Sequence, residues 1–343
     1  MKSKLLSNRL LWPILALVAL LLLNVAFTPS FFTIRLQDGH LYGSLIDILR
    51  NGAPTLLIAL GMTLVIATRG IDLSVGAVAA ISGAVACTHI AETGNAVTGM
   101  LLAIGLCAVL GLWNGFLVSV LGIQPIIATL VLMTAGRGVA MLLTEGQIVT
   151  VDNDVFRQVG GGFVVLPVAI LISLVMFAGV ALLTRRTALG MLIEAVGVNP
   201  EASRLAGVRS RTIIWTVYVF VALCAAVAGL MITSNVNSAD ANSVGLWIEM
   251  DAILAVVIGG TLLTGGRYSL TGTLVGALVI QTLTTTVYTI GVPPNAALVF
   301  KAAVVIAVCL LQAPKGRRAR PRPVLPDPPD ATGPAVLEKA GAR

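Results

Sequence analysis

Residues 53–90 read APTLLIALGMTLVIATRGIDLSVGAVAAISGAVACTHI, and this stretch decides the fold. It contains two apolar runs, 53–68 and 73–90, that are joined only by the four residues from Arg69 to Asp72. A transmembrane helix needs about 20 mainly apolar residues. The apolar residues are continuous and do not alternate singly with polar ones, which excludes an outer-membrane β-barrel. The stretch therefore predicts two helices that cross a membrane and turn back through a very short connection.

The same pattern recurs along the whole chain. Of its 343 residues, 57% are hydrophobic and only 11% are charged, whereas charged residues make up about a quarter of a soluble domain. This composition excludes a soluble enzyme with one buried core. The sequence predicts an all-α polytopic membrane protein with about ten transmembrane helices. Their boundaries are 10–27, 53–68, 73–90, 100–121, 125–143, 163–183, 212–233, 250–264, 270–290 and 296–311.

The basic residues predict the orientation of this bundle. If both the N-terminus and the C-terminus are cytoplasmic, 17 of the 22 Lys and Arg residues lie on the cytoplasmic side. These are Lys2, Lys4, Arg9, Arg69, Arg185, Arg186, Arg204, Arg209, Arg211, Arg267, Lys315, Arg317, Arg318, Arg320, Arg322, Lys339 and Arg343. Only Arg35, Arg50 and Arg157 lie outside, and Arg137 and Lys301 fall within spans. The positive-inside rule describes this asymmetry, so the net charge of +7 does not call for a nucleic-acid partner.

The two ends of the chain differ from the rest. Residues 1–311 form the predicted transmembrane domain, and residues 312–343, rich in Arg, Lys and Pro, predict a disordered cytoplasmic tail. Its basic part is expected to contact anionic membrane lipid. The first apolar run could also be a cleaved signal peptide, but its length and the lack of an A-x-A site favour a retained span.

The charged and metal-binding residue types argue against chemistry within this chain. An ion-coupled carrier usually places Asp, Glu or His inside its spans, and these spans contain almost no acid. No G-x-x-x-x-G-K-[ST] motif occurs, so no P-loop for ATP is predicted. The four Cys and two His residues do not have metal-ligand spacing, so neither a metal site nor a catalytic residue is predicted. An ion-coupled secondary transporter of a small polar solute remains the alternative, and a membrane scaffold or receptor is a second one.

Five polar residues within or beside the spans are candidates to line a path for a polar solute. They are Asn114, Gln124, Arg137, Asp251 and Gln281. Arg137 lies roughly 18 Å along its helix, and its guanidinium could contact solute, bond backbone carbonyls or pair with an acid in an outer loop. The amides could bond a solute hydroxyl or bond between helices. The sequence leaves these uses open.

The largest polar segment inside the bundle is 184–211, which is predicted to be cytoplasmic. Asn199, Pro200 and Glu201 predict a helix start, with Asn as the N-cap and Pro at the first position. Gly207 suits the position just after the end of the helix. A helix of about two turns is marginal alone, so we expect it to pack on a partner subunit. An ordinary connecting loop is the alternative reading.

Three ordered motifs resemble those of sugar-importing ABC transporter permeases of the ribose type. The first is ALGMTLVI at 59–66 with GIDLSVG at 70–76, and the second is MDAI at 250–253 with VVIGGT at 256–261 and GGR at 265–267. The third is ALG at 188–190 with EAVGVN at 194–199 and Ala202, Ala206, Gly207 and Val208. The resemblance covers about 40–315. The stretch LQDGHLYGSLIDIL at 36–49 is most similar to permeases for galactofuranose.

The resemblance implies that 1–311 is a transmembrane permease domain for a monosaccharide such as ribose, galactose or galactofuranose. It implies that 184–211 is the coupling loop that docks on an ATPase. The implied coupling residues are Gly190, Glu194, Ala195, Gly197, Asn199, Pro200, Ala202, Arg204 and Gly207. The family-motif positions are Gly70, Asp72, Ser74, Gly76, Gly259, Gly260, Gly265 and Gly266. Arg69 stands where many relatives have Gly, so the turn that follows is expected to differ locally.

The resemblance also implies partners. The chain itself would hold no cofactor, because ATP and Mg would bind to separate cytoplasmic ATPase subunits, often two domains in one chain. A periplasmic sugar-binding protein would deliver the substrate. A second permease subunit, either an identical copy or a sister permease, would complete the path across the bacterial inner membrane by alternating access.

Overall fold

The computed structural model describes residues 10–37, 39–291, 293, 296, 298–303 and 306. Within them lie twelve helices whose bounds are defined. They are α1 (Leu11–Phe27), α2 (Ser44–Ala67), α3 (Val75–Thr93), α4 (Ala96–Ser119), α5 (Pro125–Leu143), α6 (Asp154–Gly160), α7 (Val168–Arg186), α8 (Leu189–Val198), α9 (Pro200–Leu205), α10 (Ser210–Val236), α11 (Ile248–Ile258) and α12 (Leu270–Thr289). Two short antiparallel pairs join β1 (Arg35–Gln37) to β2 (His40–Tyr42) and β3 (Val149–Thr150) to β4 (Ser238–Ala239).

Seven helices are long and apolar enough to cross a membrane: α2, α3, α4, α5, α7, α10 and α12. The prediction of a helical, multi-span protein is therefore confirmed, whereas the count of ten spans is only partly matched. The first predicted span is the 17-residue helix α1. The predicted span 250–264 contains only the 11-residue helix α11, about 16 Å long and roughly half of a 30 Å hydrocarbon core. In the last predicted span, residues 298–303 are helical, while residues 307–311, the N-terminal residues 1–9 and the tail lie outside the described residues.

The helices form a buried centre and an exposed periphery. In the most apolar windows of α2 and α3, 78% and 72% of residues are buried, whereas only 17% are buried in that of α7. Helix α10 packs against α2, α3 and α4, and the side chain of Tyr218 on α10 is fully buried. The outer helices therefore present exposed apolar faces of the kind that membrane lipid contacts.

Glycine residues allow the central helices to approach closely. A Cβ atom added at Gly229 on α10 would overlap the backbone carbonyl oxygen of Ala79 on α3. In the same way, a Cβ atom added at Gly276 on α12 would overlap the carbonyl oxygen of Ala255 on α11. Helices that are driven together by packing rather than by the hydrophobic effect use such small residues.

Three irregular segments interrupt the helices: 68–74, 237–247 and 259–269. The middle of the bundle can be located from Cys107, which is halfway along α4 and whose Sγ lies 3.5 Å from the carbonyl oxygen of Val78 on α3. Gly76, two residues away on α3, packs against the carbonyl oxygen of Gly245 and the carboxylate of Glu249. The segment 237–247 therefore reaches from one end of α10 to about mid-depth, and α11 runs from there to the side that carries 184–211.

We predict that Gly229→Ala lowers the stability of the fold, because the added methyl group must push α10 away from a rigid backbone atom of α3. Overpacking of this kind costs about 1–3 kcal/mol. The measurement is the midpoint of thermal unfolding in detergent.

Gly105→Ala in α4 is the matched control, because no atom lies within 4 Å of a Cβ atom added there. Replacing a helical Gly by Ala where space is free stabilises by up to about 1 kcal/mol. Equal midpoints for the two variants would contradict the close contact between α3 and α10.

Candidate functional site

The polar segment 184–211 folds into α8 and α9. The Oδ1 atom of Asn199 accepts hydrogen bonds from the backbone N–H groups of Glu201 (3.1 Å) and Ala202 (3.0 Å). Pro200 occupies the first helical position, and Gly207, just past the end of α9, has φ +85°. The predicted helix start and end are confirmed, although α9 has only six residues.

Helix α8 precedes α9 and was not predicted from the sequence. Its buried residues are Gly190, Ile193, Val196 and Gly197. Their spacing of three, three and one residues places them on one face of a helix. This periodicity is the signal that could have revealed α8, but two of its four positions are glycines, which weaken a hydrophobic pattern.

Three connections of the bundle meet at the C-terminal end of α8. Gly197 packs so closely on α2 that an added Cβ atom would overlap the carbonyl oxygen of Ala67. The N–H of Gly266 donates a hydrogen bond to that same oxygen (2.9 Å), and the guanidinium of Arg69 donates one to the carbonyl oxygen of Val198. We call this cluster, Ala67, Arg69, Gly197, Val198 and Gly266, the junction. It brings the predicted coupling residue Gly197 together with the motif residue Gly266.

The outer face of α8 and α9 carries a row of exposed apolar side chains. We call this row the docking patch: Met191, Ala195, Val198, Ala202 and Leu205. Leu205 is 85% exposed, which is unusual for a leucine that no membrane would cover. The predicted coupling residues thus divide by position. Gly190 and Gly197 are buried, Glu194 and Pro200 are half-buried, and the others are exposed: Ala195, Asn199, Ala202, Arg204 and Gly207.

The first family motif begins in α2, and most of its second part, 70–76, lies in the connecting segment 68–74. There, hydrogen bonds from side chains replace helical ones. The Oδ1 atom of Asp72 accepts hydrogen bonds from the backbone N–H (2.8 Å) and the hydroxyl (2.6 Å) of Ser74. The amide nitrogen of Asn114 on α4 donates to the Ser74 hydroxyl oxygen (3.0 Å). The hydroxyl oxygen of Thr129 on α5 accepts from the N–H of Leu73 (3.1 Å). Asn114 is therefore a partner of the motif, and Thr129 is a further contact that a lone threonine in an apolar run does not reveal.

The glycines of both motifs occupy tight positions. Gly70 packs against the hydroxyl group of Tyr218, and Gly76 contacts Glu249, as described above. Gly259 packs on the backbone of Gly272. Three residues of the segment 259–269 have a positive φ that favours glycine. They are Gly260 (+86°), Gly265 (+80°) and Gly266 (+89°).

Arg137 binds backbone carbonyl groups, one of the uses that the sequence left open. Its Nη1 atom donates to the carbonyl oxygens of Ala241 (2.9 Å) and Val244 (2.7 Å) in the irregular segment 237–247. Because Gly136 contacts Ala77 and Ile81 of α3, Arg137 lies near mid-depth. There it satisfies two peptide groups that would otherwise face an apolar surrounding.

The other path candidates have separate surroundings. Asp251 forms an ion pair with Lys301, with Oδ2 and Nζ 2.9 Å apart. Gln124 is exposed at the N-terminal end of α5, and Gln281 packs against Gly52 of α2. Among the described residues, no hydrogen bond joins any two of the five candidates, so a shared solute path remains a prediction. Within the same residues, no group of three or more His, Cys, Asp and Glu side chains could hold a metal ion.

We predict that Arg137→Met destabilises the segment 237–247, because two buried carbonyl groups lose their partner at about 1–3 kcal/mol each. Arg137→Lys, which keeps one cationic donor, should give an intermediate effect. Limited proteolysis within 237–247 and the thermal midpoint measure the change.

The control is Arg157→Met, which removes an ion pair with Asp154 whose carboxylate is almost fully exposed. Exposed pairs contribute about 0–1 kcal/mol. A loss of stability for Arg157→Met as large as that for Arg137→Met would contradict the role of Arg137.

Asp72 predicts a pH dependence of stability. Burial raises the pKa of Asp72 from 3.8 to about 6, against the hydrogen bonds from Ser74, which lower it. The folded state then holds the proton more tightly than the unfolded state. The contribution of Asp72 to stability is therefore greatest below pH 4, falls by about 2–3 kcal/mol as the pH rises to about 6, and then levels off.

Asp72→Asn keeps an acceptor for the Ser74 hydrogen bonds and removes the titration. The difference in thermal midpoint between Asp72→Asn and the unchanged protein should therefore grow as the pH rises from 4 to 7. A difference that stays constant over this range would show that Asp72 titrates normally.

Comparisons with known proteins agree with this arrangement. Residues 44–309 match the family described as branched-chain amino acid transport system / permease component. The galactofuranose transporter permease protein YtfT of Escherichia coli K12 is 48% identical over 312 residues, which cover 89% of this chain and 92% of that protein. The fructose import permease protein FruF of Bifidobacterium longum is 43% identical over 320 residues, 91% of this chain and 90% of the relative.

A third relative is the ribose import permease protein RbsC of Escherichia coli K12, 36% identical over 303 residues, which cover 87% of this chain and 92% of that protein. No solved structure matches the chain. The resemblance predicted from three sequence motifs is confirmed, and the chain belongs to the family of branched-chain amino acid transport system / permease components.

Proposed function

We propose that this chain is the membrane permease subunit of a binding-protein-dependent ABC importer for a monosaccharide. The single observation that carries the proposal is the junction, which connects the exposed apolar patch on α8 and α9 to the connections between central helices. The similarity to permeases named for galactofuranose, fructose and ribose supports a monosaccharide as the substrate. The bacterial inner membrane is the expected location, because it faces both a binding protein outside and ATPase subunits in the cytoplasm.

The driving force comes from ATP and Mg on separate ATPase subunits, one of which covers the docking patch. Exposed apolar residues rimmed by charge, here Glu201 and Arg204, are typical of a protein–protein interface. When the ATPase subunits close, they displace α8 and α9. Because Gly197 is in contact with Ala67 and, through it, with Gly266, the displacement reaches the end of α2 and the connection between α11 and α12.

The path itself lies where α11 and the segment 237–247 meet near mid-depth. Interrupted helices of this kind form the solute sites of many transporters. We assign Arg137 a positioning role, since its donors are already used to hold that segment. Asp251, through Lys301, and Asn114, through Ser74, also have positioning roles. Neither these two residues nor Arg137 needs to contact the sugar.

Completion of the path requires a second permease, either an identical copy or a sister chain. ABC permeases move a substrate between two subunits by alternating access, and the poorly buried helices α4, α5 and α7 offer faces that lipid and a second subunit would cover. The alternative of an ion-coupled carrier has no support from the relatives, whose names describe a galactofuranose transporter permease and import permeases for fructose and ribose.

The test is sugar uptake into proteoliposomes that contain this chain, the ATPase and an external binding protein. We expect accumulation of galactofuranose, fructose or ribose that requires ATP and binding protein and persists when an uncoupler removes the proton gradient. Uptake that needs no binding protein and collapses with the uncoupler at constant ATP would favour the ion-coupled carrier. No accumulation with every component present would favour a scaffold or receptor.

We predict that Met191→Asp with Leu205→Asp abolishes co-purification of the ATPase. Both side chains are exposed, so the changes place charge on the docking patch without altering the buried packing. Loss of the two apolar contacts and burial of two unpaired carboxylates should weaken binding at least about a hundredfold. Co-purification with tagged permease measures the loss.

Thr212→Asp is the control, because Thr212 is exposed on the same side of the protein in the first turn of α10 but lies outside the patch. Gly197→Ala should reduce transport while the patch remains intact, since it disturbs the junction. Full ATPase binding by the double aspartate variant would show that the docking assignment is wrong.

A further inference from the structure

A polar cavity and an apolar groove lie along the same crevice between α7 and α12. The polar cavity has a volume of about 340 Å³, and its lining includes Arg185, Glu194, Tyr268 and Ser269. The apolar groove has a volume of about 100 Å³ and is lined by Phe177 and Leu174 of α7, Leu274 and Leu278 of α12, and residues of α2. Both α7 and α12 pack on α2, which forms the floor of the groove.

The two spaces follow one another in depth. The polar cavity is lined by Thr184 and Arg185 of the last turn of α7 and by Leu270 of the first turn of α12. It therefore lies at the predicted cytoplasmic face. The apolar groove begins at Phe177, roughly 10 Å deeper along α7, and at Leu274, roughly 6 Å deeper along α12. It continues to Ile170, roughly 21 Å from Thr184. The groove itself, from Phe177 to Ile170, therefore extends for roughly 10 Å along α7 and can hold part of one acyl chain.

The polar cavity carries one charge of each sign. Arg185 and Glu194 both act on the hydroxyl of Tyr268. Burial is the main reason why the pKa of Tyr268 is raised, Glu194 raises it further and Arg185 lowers it. Both charges therefore lie close to the same point of the cavity, beside the hydroxyl groups of Tyr268 and Ser269.

We propose that the crevice between α7 and α12 binds a zwitterionic phospholipid with an ethanolamine head group. Arg185 binds the phosphate, Glu194 accepts hydrogen bonds from the ammonium group, and the hydroxyls of Tyr268 and Ser269 bond the remaining oxygens. One acyl chain occupies the groove along Phe177, Leu274 and Leu278. The lining of the polar cavity also includes Gly190 and Met191 of α8. Because Met191 belongs to the docking patch, the lipid head group would lie beside the surface that the ATPase is proposed to cover.

A side chain of the ATPase is the other occupant to consider, since Glu194 is also a predicted coupling residue. Such a side chain could fill the polar cavity, but it would leave the apolar groove without an occupant. Helix α7 is the least buried of the seven long helices, so that lipid has direct access to the crevice. The paired polar and apolar spaces therefore favour a lipid.

The test measures lipid binding to the full-length chain in detergent, and native mass spectrometry detects the bound lipid. The probes are phosphatidylethanolamine, phosphatidylcholine and phosphatidylglycerol with identical acyl chains. We expect phosphatidylethanolamine to bind at least about tenfold more tightly than the other two, because only its head group combines a phosphate with N–H donors. Glycerophosphoethanolamine, which lacks acyl chains, should bind at least about a hundredfold more weakly because it leaves the groove empty.

Arg185→Gln should weaken the binding of phosphatidylethanolamine about tenfold, and Leu278→Trp, which fills the groove, should do the same. Arg186→Gln is the matched control, because Arg186 is the adjacent exposed cation and does not line the cavity. If Leu278→Trp does not fold, Arg185→Gln still tests the site. Equal binding of the three lipids, equal effects of the two arginine variants, or tight binding of the chain-free head group would overturn the proposal. Displacement of the lipid by added ATPase would assign the cavity to that partner instead.

Discussion

A buried peptide group that is not part of a helix must find its hydrogen-bond partner within the protein. This chain has irregular segments at 68–74, 237–247 and 259–269, and specific groups satisfy them. The hydroxyl oxygen of Thr129 accepts a hydrogen bond from the N–H of Leu73. The guanidinium of Arg137 donates to carbonyl oxygens of the second segment. The carbonyl oxygen of Ala67 accepts from the N–H of Gly266. The central helices can be interrupted only because these partners are present.

The same contacts give the interrupted helices a connection to the cytoplasmic face. Ala67 is the last residue of α2, and its carbonyl oxygen accepts the hydrogen bond of Gly266 while Gly197 packs against it. A displacement of α8 would therefore act directly on the end of α2 and on the connection 259–269. The constraint that stabilises irregular backbone also provides the route by which, in the proposed function, an ATPase acts on the path.

The sequence predicted those features that depend on residues close together in the chain, and it missed those that depend on distant residues. The start and end of α9 were predictable, because Asn199, Pro200 and Gly207 act within one or two turns. The length of α11 was not predictable, because the apolar run 250–264 continues past the end of the helix. Its start was not predictable either, because nothing in the sequence indicates that Trp247 has a left-handed conformation (φ +64°). The pairing of Asp251 with Lys301, fifty residues apart, and the use of Arg137 on backbone carbonyls are long-range contacts. No pattern in a single sequence specifies them, whereas two of the family motifs overlap the irregular segments 68–74 and 259–269.

Hydrogen exchange of the assembled transporter with and without a non-hydrolysable ATP analogue tests the central claim most directly. The claim is that the docking segment and the two connections move together. We predict that the analogue changes exchange rates in 189–205, 68–74 and 259–266 at the same nucleotide concentration. A change confined to 189–205, with unaltered exchange in the other two segments, would contradict the account.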